Sequence, residues 1–215
     1  MKFLKNSTWK KFFVLLLLLT LFIFVSALSY VTAVSQDIAN SVFRLHVIAN
    51  SDSKEDQELK LKVRDNLLSY MNTLAKDCSS KDEVVVLARE HQEEFRQIAG
   101  QTITESGFSY PVNIEIGEAD FPTKTYGDIS LPAGSYDALK VEIGEAKGQN
   151  WWCVMFPPLC FVDVSSGVVP DHSKQEIKES LNKEEYDLIS QADDNEIHFK
   201  FKLVELFQNL KLGQN

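Results

Sequence analysis

Successive stretches of this chain change their hydrophobic period, and each change predicts a different element. From Phe12 to Gln36 there is no charged side chain, and the middle of the run is Val14 followed by five leucines, ending at Leu19. At about 1.5 Å of rise per residue, such a run wound as a helix is long enough to cross a hydrocarbon core. Val42 to Ile48 then alternates, with Phe43, Leu45 and Val47 on one face, which predicts a strand. Asn50-Ser-Asp-Ser53 interrupts it with residue types that cap helices. Asp52 with Glu55, or Ser53 with Asp56, has capping-box spacing.

Helical spacing takes over next. Leu59, Val63, Leu67, Tyr70, Met71 and Leu74 recur at three- and four-residue intervals and mark the inward stripe of a long helix, with Lys60, Lys62 and Arg64 off it. After Ser79-Ser80, a second stripe of Val84, Leu87, Ala88, His91, Phe95 and Ile98 predicts one helix from Asp82 to Ala99, ended by Gly100. His91 lies on that stripe, so it reads as a hydrogen-bonded histidine at the core boundary rather than a catalytic one.

The middle of the chain returns to alternation. Ile114-Glu-Ile-Gly-Glu-Ala119 and Val141-Glu-Ile-Gly-Glu-Ala146 nearly repeat, and read as two similar strands ending in glycine-marked turns. Between them, Leu131-Pro-Ala-Gly134 reads as a turn in which Gly134 supplies a positive φ. The segment from Gln149 to Asp163 holds two of the three tryptophans and two of the three cysteines. In a strand, Trp151, Cys153 and Met155 face one way, and Trp152, Val154 and Phe156 the other. Apolar residues on both faces mean either a central strand covered on both sides or one face reserved for a partner. A helix is expected from Ser173 to Gln191, carrying Ile177, Leu181, Tyr186, Leu188 and Ile189. The last segment is read as helix over Phe201–Leu210, in preference to a strand starting at Ile197. The whole predicts an α+β fold, a single exported domain with a small mixed or antiparallel sheet and three to four packed helices, preceded by a hydrophobic export segment.

Charge then fixes orientation. Lys2, Lys5, Lys10 and Lys11 precede the apolar run, and a basic flank keeps an amino terminus in the cytoplasm. Residues 1–35 are therefore a signal peptide or a membrane anchor, and residues 36–215 the exported domain. Ala33-Val-Ser35 suits cleavage, whereas the length of the run suits an anchor. Without the leader's lysines, 18 basic residues face 31 acidic ones, a net charge of −13. Such a surface repels nucleic acid and anionic headgroups, which leaves the leader as the membrane contact. Export puts Cys78, Cys153 and Cys160 in a compartment that permits oxidation. Pro157-Pro158 can bend the chain so that Cys153 and Cys160 bridge; two buried free thiols are the alternative.

No nucleophile elbow, His-Glu-x-x-His pair or phosphate-binding glycine loop is present. With no Cys-x-x-Cys pair and only four scattered histidines, no metal site is expected, nor is a cofactor. An exported cysteine-dependent hydrolase acting in the cell envelope, with Cys153 as nucleophile and His46 or His172 as base, is the alternative enzymatic reading. Glu115 and Glu142 are read as solvated residues on the polar face of their strands rather than an acid–base pair. Trp152, Phe156, Pro157 and Pro158 are the preferred partner-binding residues, because aromatic residues concentrate at binding hot spots. Arg44, His46 and Asn50 form a second candidate surface near the end of the first strand.

The residues Phe43-Arg-Leu-His-Val-Ile-Ala-Asn-Ser-Asp-Ser53, then Glu55-Asp-Gln57 and Leu61-Lys-Val-Arg-Asp65, resemble the stage II sporulation protein R family of endospore-forming bacteria. So do Leu131-Pro-Ala-Gly-Ser-Tyr-Asp-Ala-Leu-Lys-Val-Glu-Ile-Gly144 and Asn150-Trp-Trp-Cys-Val-Met-Phe-Pro-Pro-Leu-Cys160. The resemblance implies a signalling protein rather than an enzyme. Such a protein is exported from the forespore into the space between forespore and mother-cell membranes. Its implied partner is a membrane-embedded aspartic protease of the mother-cell membrane, stage II sporulation protein GA, which it activates to process pro-sigma-E.

Overall fold

The computed structural model describes residues 7–159 and 171–190. Its helices are α1 (Ser7–Ser41), α2 (Lys54–Leu74), α3 (Lys81–Glu90), α4 (Gln92–Glu105), α5 (Asp171–Ser180) and α6 (Lys183–Ser190). Its strands are β1 (Phe43–Ile48), β2 (Val112–Phe121), β3 (Lys124–Tyr126), β4 (Ile129–Leu131), β5 (Gly134–Ile143) and β6 (Asn150–Phe156). The fold is α+β. Four strands form a mixed sheet in the order β2-β5-β1-β6, with β1 parallel to β5 and the other two pairings antiparallel.

The alternation of β1 sends Phe43, Leu45 and Val47 to one face, where Ile114, Leu139 and Val141 join them. Helices α2, α3 and α4 close this face with Leu59, Val63, Leu67, Met71, Val84, Phe95 and Ile103, all buried. The opposite face is covered over part of its area by a second core. Ile38 and Ala39 at the end of α1, Val42, Ile129 and Leu131 of the β3–β4 hairpin, and Ile177, Leu181 and Ile189 pack there on Tyr136, Ala138 and Val154. The leader helix thus runs without a break into the domain. Its large apolar side chains from Trp9 to Val25, and Tyr30, stay exposed, Leu15 by 68%, while its last turns belong to the core. A buried stripe of this kind contributes roughly 1.5–3 kcal/mol per large side chain.

Local chemistry explains the helix boundaries. Ser53 caps α2 by accepting from the Asp56 N–H at 3.2 Å, one of the two registers the sequence allowed. The single helix expected over 82–99 is two, α3 and α4, broken at His91, although the apolar stripe continues through the break. Gly100 lies inside α4 rather than ending it. The terminator is Gly107, at φ +88°, where Gly107 N–H donates to Thr104 O and Phe108 N–H to Ile103 O, a Schellman pattern. The expected helix from 173 is also split. Asn182 and Glu185 each accept the other's backbone N–H, a reciprocal cap that starts α6.

Three strand expectations change as well. Gly117 sits mid-strand in β2 rather than in a turn, whereas Gly144 is a turn residue at φ +61°. The region before Gly134 contains a small hairpin, whose positive φ falls on Gly127 instead of Gly134. Cys153 is buried and disulfide-bonded, and Cys78 is free. Cys160 and the segment read as helix over 201–210 lie outside the described residues.

Two glycines give a paired test of this packing. A Cβ on Gly148 would stand 2.2 Å from the Ser51 carbonyl oxygen, a backbone atom that cannot step aside, so Gly148→Ala should cost about 2 kcal/mol or more. Gly100 has open space around it inside a helix, so Gly100→Ala should stabilise by roughly 0.5–1 kcal/mol. Chemical denaturation of the detergent-solubilised chain, followed by near-ultraviolet dichroism, reads both signs.

Candidate functional site

Register places the polar residues of the central strands in transverse rows on the sheet face opposite α2–α4. One row is Glu115, Lys140, His46 and Trp152; the next is Gly117, Ala138, Arg44 and Val154. Glycine and alanine carry little bulk, so the second row leaves a hollow where the covering elements stop. A cleft of about 480 Å³ opens there, bordered by His46, Lys140, Ala138 and the β2 segment from Glu115 to Asp120. Nothing lies within 4 Å of where a Cβ on Gly117 would be. Gly117 keeps the cleft open.

His46 forms one wall. Its ring stacks on Trp152 with centroids 3.6 Å apart, and its Nε2–H donates to Asn150 Oδ1 at 2.7 Å. Burial lowers its pKa below 6.5; Lys140 and Arg44 add to this, while the Asn150 hydrogen bond and Glu142 oppose it. Lys140 is held by Glu142 at 2.7 Å, an ion pair between partly exposed side chains on one face of β5. Glu115 and Glu142 are not register partners: Glu115 faces Lys140, and Glu142 faces Asn113, from which it accepts a hydrogen bond at 3.1 Å.

Arg44 is completely buried. Its guanidinium lies 4.0 Å from the centroid of Phe121 and 4.7 Å from that of Tyr136, and Nη2 donates to Tyr126 Oη at 2.7 Å. Tyr126 passes the chain on by donating to Trp152 O at 3.1 Å. Among the described residues, Nε and Nη1 of Arg44 have no hydrogen-bond partner. Burial raises the pKa of Tyr126 and Tyr136 and keeps both phenols neutral, so the charge is met by ring faces rather than an anion.

Asn50 points elsewhere. Its Nδ2 donates to Asp56 Oδ2 at 2.8 Å and its Oδ1 accepts the Glu145 N–H at 3.0 Å, so it ties α2 to the turn after β5. Ser51 Oγ donates to the same Asp56 oxygen at 2.6 Å. Burial would raise the Asp56 pKa, but hydrogen bonds from Ser51, Asn50, Tyr110 and Ser53 together lower it. Lys60, expected off the buried stripe, is instead buried and donates to Gln149 O at 3.0 Å, its stem covering apolar surface. Arg64 lies over the Trp151 ring at 4.1 Å.

The two sequence-predicted surfaces therefore partly merge and partly separate. Arg44, His46 and Trp152 meet on one face, and Asn50 belongs to the structural knot beside it. Phe156 and Pro158 are half-buried, whereas Pro157 is buried and offers no surface to a partner; a register shift against β1 sets Phe156 opposite Phe43 on the helix face, not with Trp152 and Val154 as simple alternation predicted. Gly117, Tyr126 and Phe121 were not singled out from sequence. A glycine inside an alternating strand is the signal that could have marked the hollow. Among the described residues, no cluster of three or more histidine, cysteine or acidic side chains is arranged to hold a metal ion.

Residues 39–166 match the family model described as stage II sporulation protein R. The chain is 39% identical over 147 residues to stage II sporulation protein R of Bacillus subtilis (strain 168), a match covering 68% of this chain and 65% of that protein. No solved structure matches it.

Two measurements probe the site. Unfolded His46 takes its proton near pH 6.5, but the folded form resists until the pH is lower. Stability should thus be full above 6.5 and fall as pH drops from there toward the lowered folded value. His46→Phe should flatten that fall in denaturation midpoints measured against pH. At Arg44, an apolar side chain of similar volume needs no counter-charge, whereas lysine loses the ring stacking and keeps the charge. Arg44→Lys is expected to destabilise by about 3 kcal/mol and Arg44→Met by clearly less, an order that denaturant titration will show.

Proposed function

The chain belongs to the stage II sporulation protein R family, and on that premise we propose that it is an exported signalling protein of sporulation. The folded domain acts as a ligand of a membrane-embedded aspartic protease, stage II sporulation protein GA, and favours the active state of that protease, which then processes pro-sigma-E in the mother cell. The observation that carries this reading is the family match over residues 39–166, which begins where the exposed apolar part of α1 gives way to the folded domain. An apolar helix of this length fits export or anchoring, and the proposed place of action is the space between forespore and mother-cell membranes. A ligand can shift the protease only by binding its active state more tightly, so the domain needs a complementary surface rather than a catalytic centre. The face carrying Trp152 and the cleft is the proposed contact, with Pro158 just past β6 at its border; Phe156 would reach a partner only from the helix side, where it stands opposite Phe43.

The rival reading as a cysteine hydrolase requires a thiolate at Cys153. That sulfur is disulfide-bonded and its residue is 1% exposed, which removes the nucleophile this reading depends on.

The test is pro-sigma-E cleavage in a non-sporulating bacterial host that makes the protease, with and without this chain. Cleavage should appear only with the chain present. No difference, with export and folding verified, sinks the proposal. In the same assay Trp152→Ala should reduce cleavage by roughly tenfold or more, as hot-spot truncations do, at a chain level equal to the parent.

A further inference from the structure

We propose that the outer edge of β2, together with the Gly117 cleft beside it, is a binding site for an extended, cationic segment of a partner protein, which adds to the sheet as a fifth strand. It rests on the activator reading only for the partner's identity.

Among the described residues β2 is a terminal strand of the sheet, and it runs ten residues beside β5 without a register shift. The Gly144 N–H donates to Pro111 O at 2.8 Å, which makes that pair a hydrogen-bonded one and fixes the phase of the ladder. Residues 113, 115, 117 and 119 therefore turn their backbone groups toward β5. Ile114, Ile116, Glu118 and Asp120 turn theirs outward. The Ile114 carbonyl agrees with this phase, because it accepts from Gln92 Nε2 of α4 at 2.9 Å. That contact covers one end of the edge. Ile116, Glu118 and Asp120 continue it, and their backbone groups make no hydrogen bond with any described residue. An open edge of this kind is a template for another strand.

Charge selects the occupant. The cleft and edge carry the exposed carboxylates of Glu115, Glu118 and Asp120, none of them in an ion pair among the described residues. Lys140, the cationic side chain of the lining, is already paired with Glu142, and burial keeps His46 toward its neutral form. An added strand would carry side chains alternately to the two faces. On the cleft face, one opposite Gly117 meets no side chain and has the hollow to fill, with Glu115 beside it. On the other face its two neighbours lie opposite Ile116 and Glu118, and the next side chain on that face lies opposite Asp120. Lysine or arginine suits both faces, with a long stem for the hollow and a charge for the carboxylates. Charged edges also guard against unwanted pairing, and the experiment separates a guard from a receptor.

The probe is a dansyl-labelled peptide of repeated Lys-Lys-Thr-Thr units, as long as β2, which puts lysine on both faces of a strand; it is titrated into the full chain in detergent. It should bind, and bind more weakly as salt is raised. The same peptide made with glutamate for lysine, or N-methylated at every residue, should bind at least tenfold more weakly, roughly what loss of charge pairing or of the ladder would cost. Glu118→Lys with Asp120→Lys should weaken the lysine peptide to a similar extent, and Gly117→Leu should do so by filling the cleft. Equal binding of the N-methylated peptide, no effect of the double charge reversal, or no binding at all would each overturn the proposal. In the cleavage assay, a double variant that no longer binds the peptide yet still supports full processing removes the edge as the protease's site and leaves the activator reading standing. Failure of processing with the unaltered chain removes that reading whatever the peptide does.

Discussion

The central position of β1 constrains nearly everything else. It is paired on both sides, parallel to β5 and antiparallel to β6, and five of its six residues are buried. A strand covered on both faces usually carries a continuous apolar run. Here the face opposite the helices receives Arg44 and His46, so two polar side chains enter a place where water is scarce. The surroundings answer each cost separately. Aromatic rings and a tyrosine hydroxyl receive the guanidinium, and Asn150 with a stacked tryptophan receives the neutral imidazole. The aromatic residues Phe121, Tyr126, Tyr136 and Trp152 come from separate parts of the sequence, yet they gather around one strand because its polar side demands them.

The segment after β1 does a different job with similar chemistry. Asn50, Ser51, Asp52 and Asp56 close the strand end by hydrogen bonds to one another, to the Glu145 N–H and to the Gln149 N–H. The turn between β5 and β6 is thereby fastened to the start of α2. Gly148 is needed because Ser51 O occupies the space a side chain would take. Of the long motif from Phe43 to Ser53, the first half thus shapes the cleft face and the second half holds the scaffold. A residue prominent in a motif can spend its side-chain hydrogen bonds on the scaffold, as Asn50 does here.

Periodicity revealed the fold class, the α2 stripe, the Ser53 cap and the alternation of β1, β2 and β5, because each of these is a local consequence of side-chain spacing. Tertiary facts escaped it. The apolar stripe continues through His91, so spacing alone cannot see the break, where the His91 ring meets the Tyr70 hydroxyl at 2.9 Å. Gly100 and Gly107 both look like terminators, and only the second has the positive φ that ends a helix. Lys60 is buried where Gln149, just before β6, offers it a carbonyl, which no property of α2 announces. The site was half legible for the same reason. Arg44, His46 and Trp152 stood out as residue types, but the hollow depends on register, which sets Gly117 beside Ala138 across two strands far apart in sequence.

The leader and the cleft are linked through the same sheet face. α1 ends against Tyr136, Ala138 and Val154 with Ile38, Ala39 and Val42 buried, so the segment that locates the domain also sets how the cleft face hangs from it. An acidic domain gains nothing from anionic headgroups, and attraction to the membrane surface cannot orient it. Orientation then rests on packing at the root of α1. A face held by packing presents its open rows in one direction only while the exposed part of the helix is attached; removal after Ser35 would leave the buried Ile38, Ala39 and Val42 in the domain but free it from that constraint. What remains open there is Glu115 on the cleft face, Glu118 and Asp120 along the β2 edge, and half-buried Trp152 at β6. A partner that fits both ends must bring cations to one side and apolar surface to the other, a stricter demand than net charge alone makes, and one that an extended segment beside a membrane can meet.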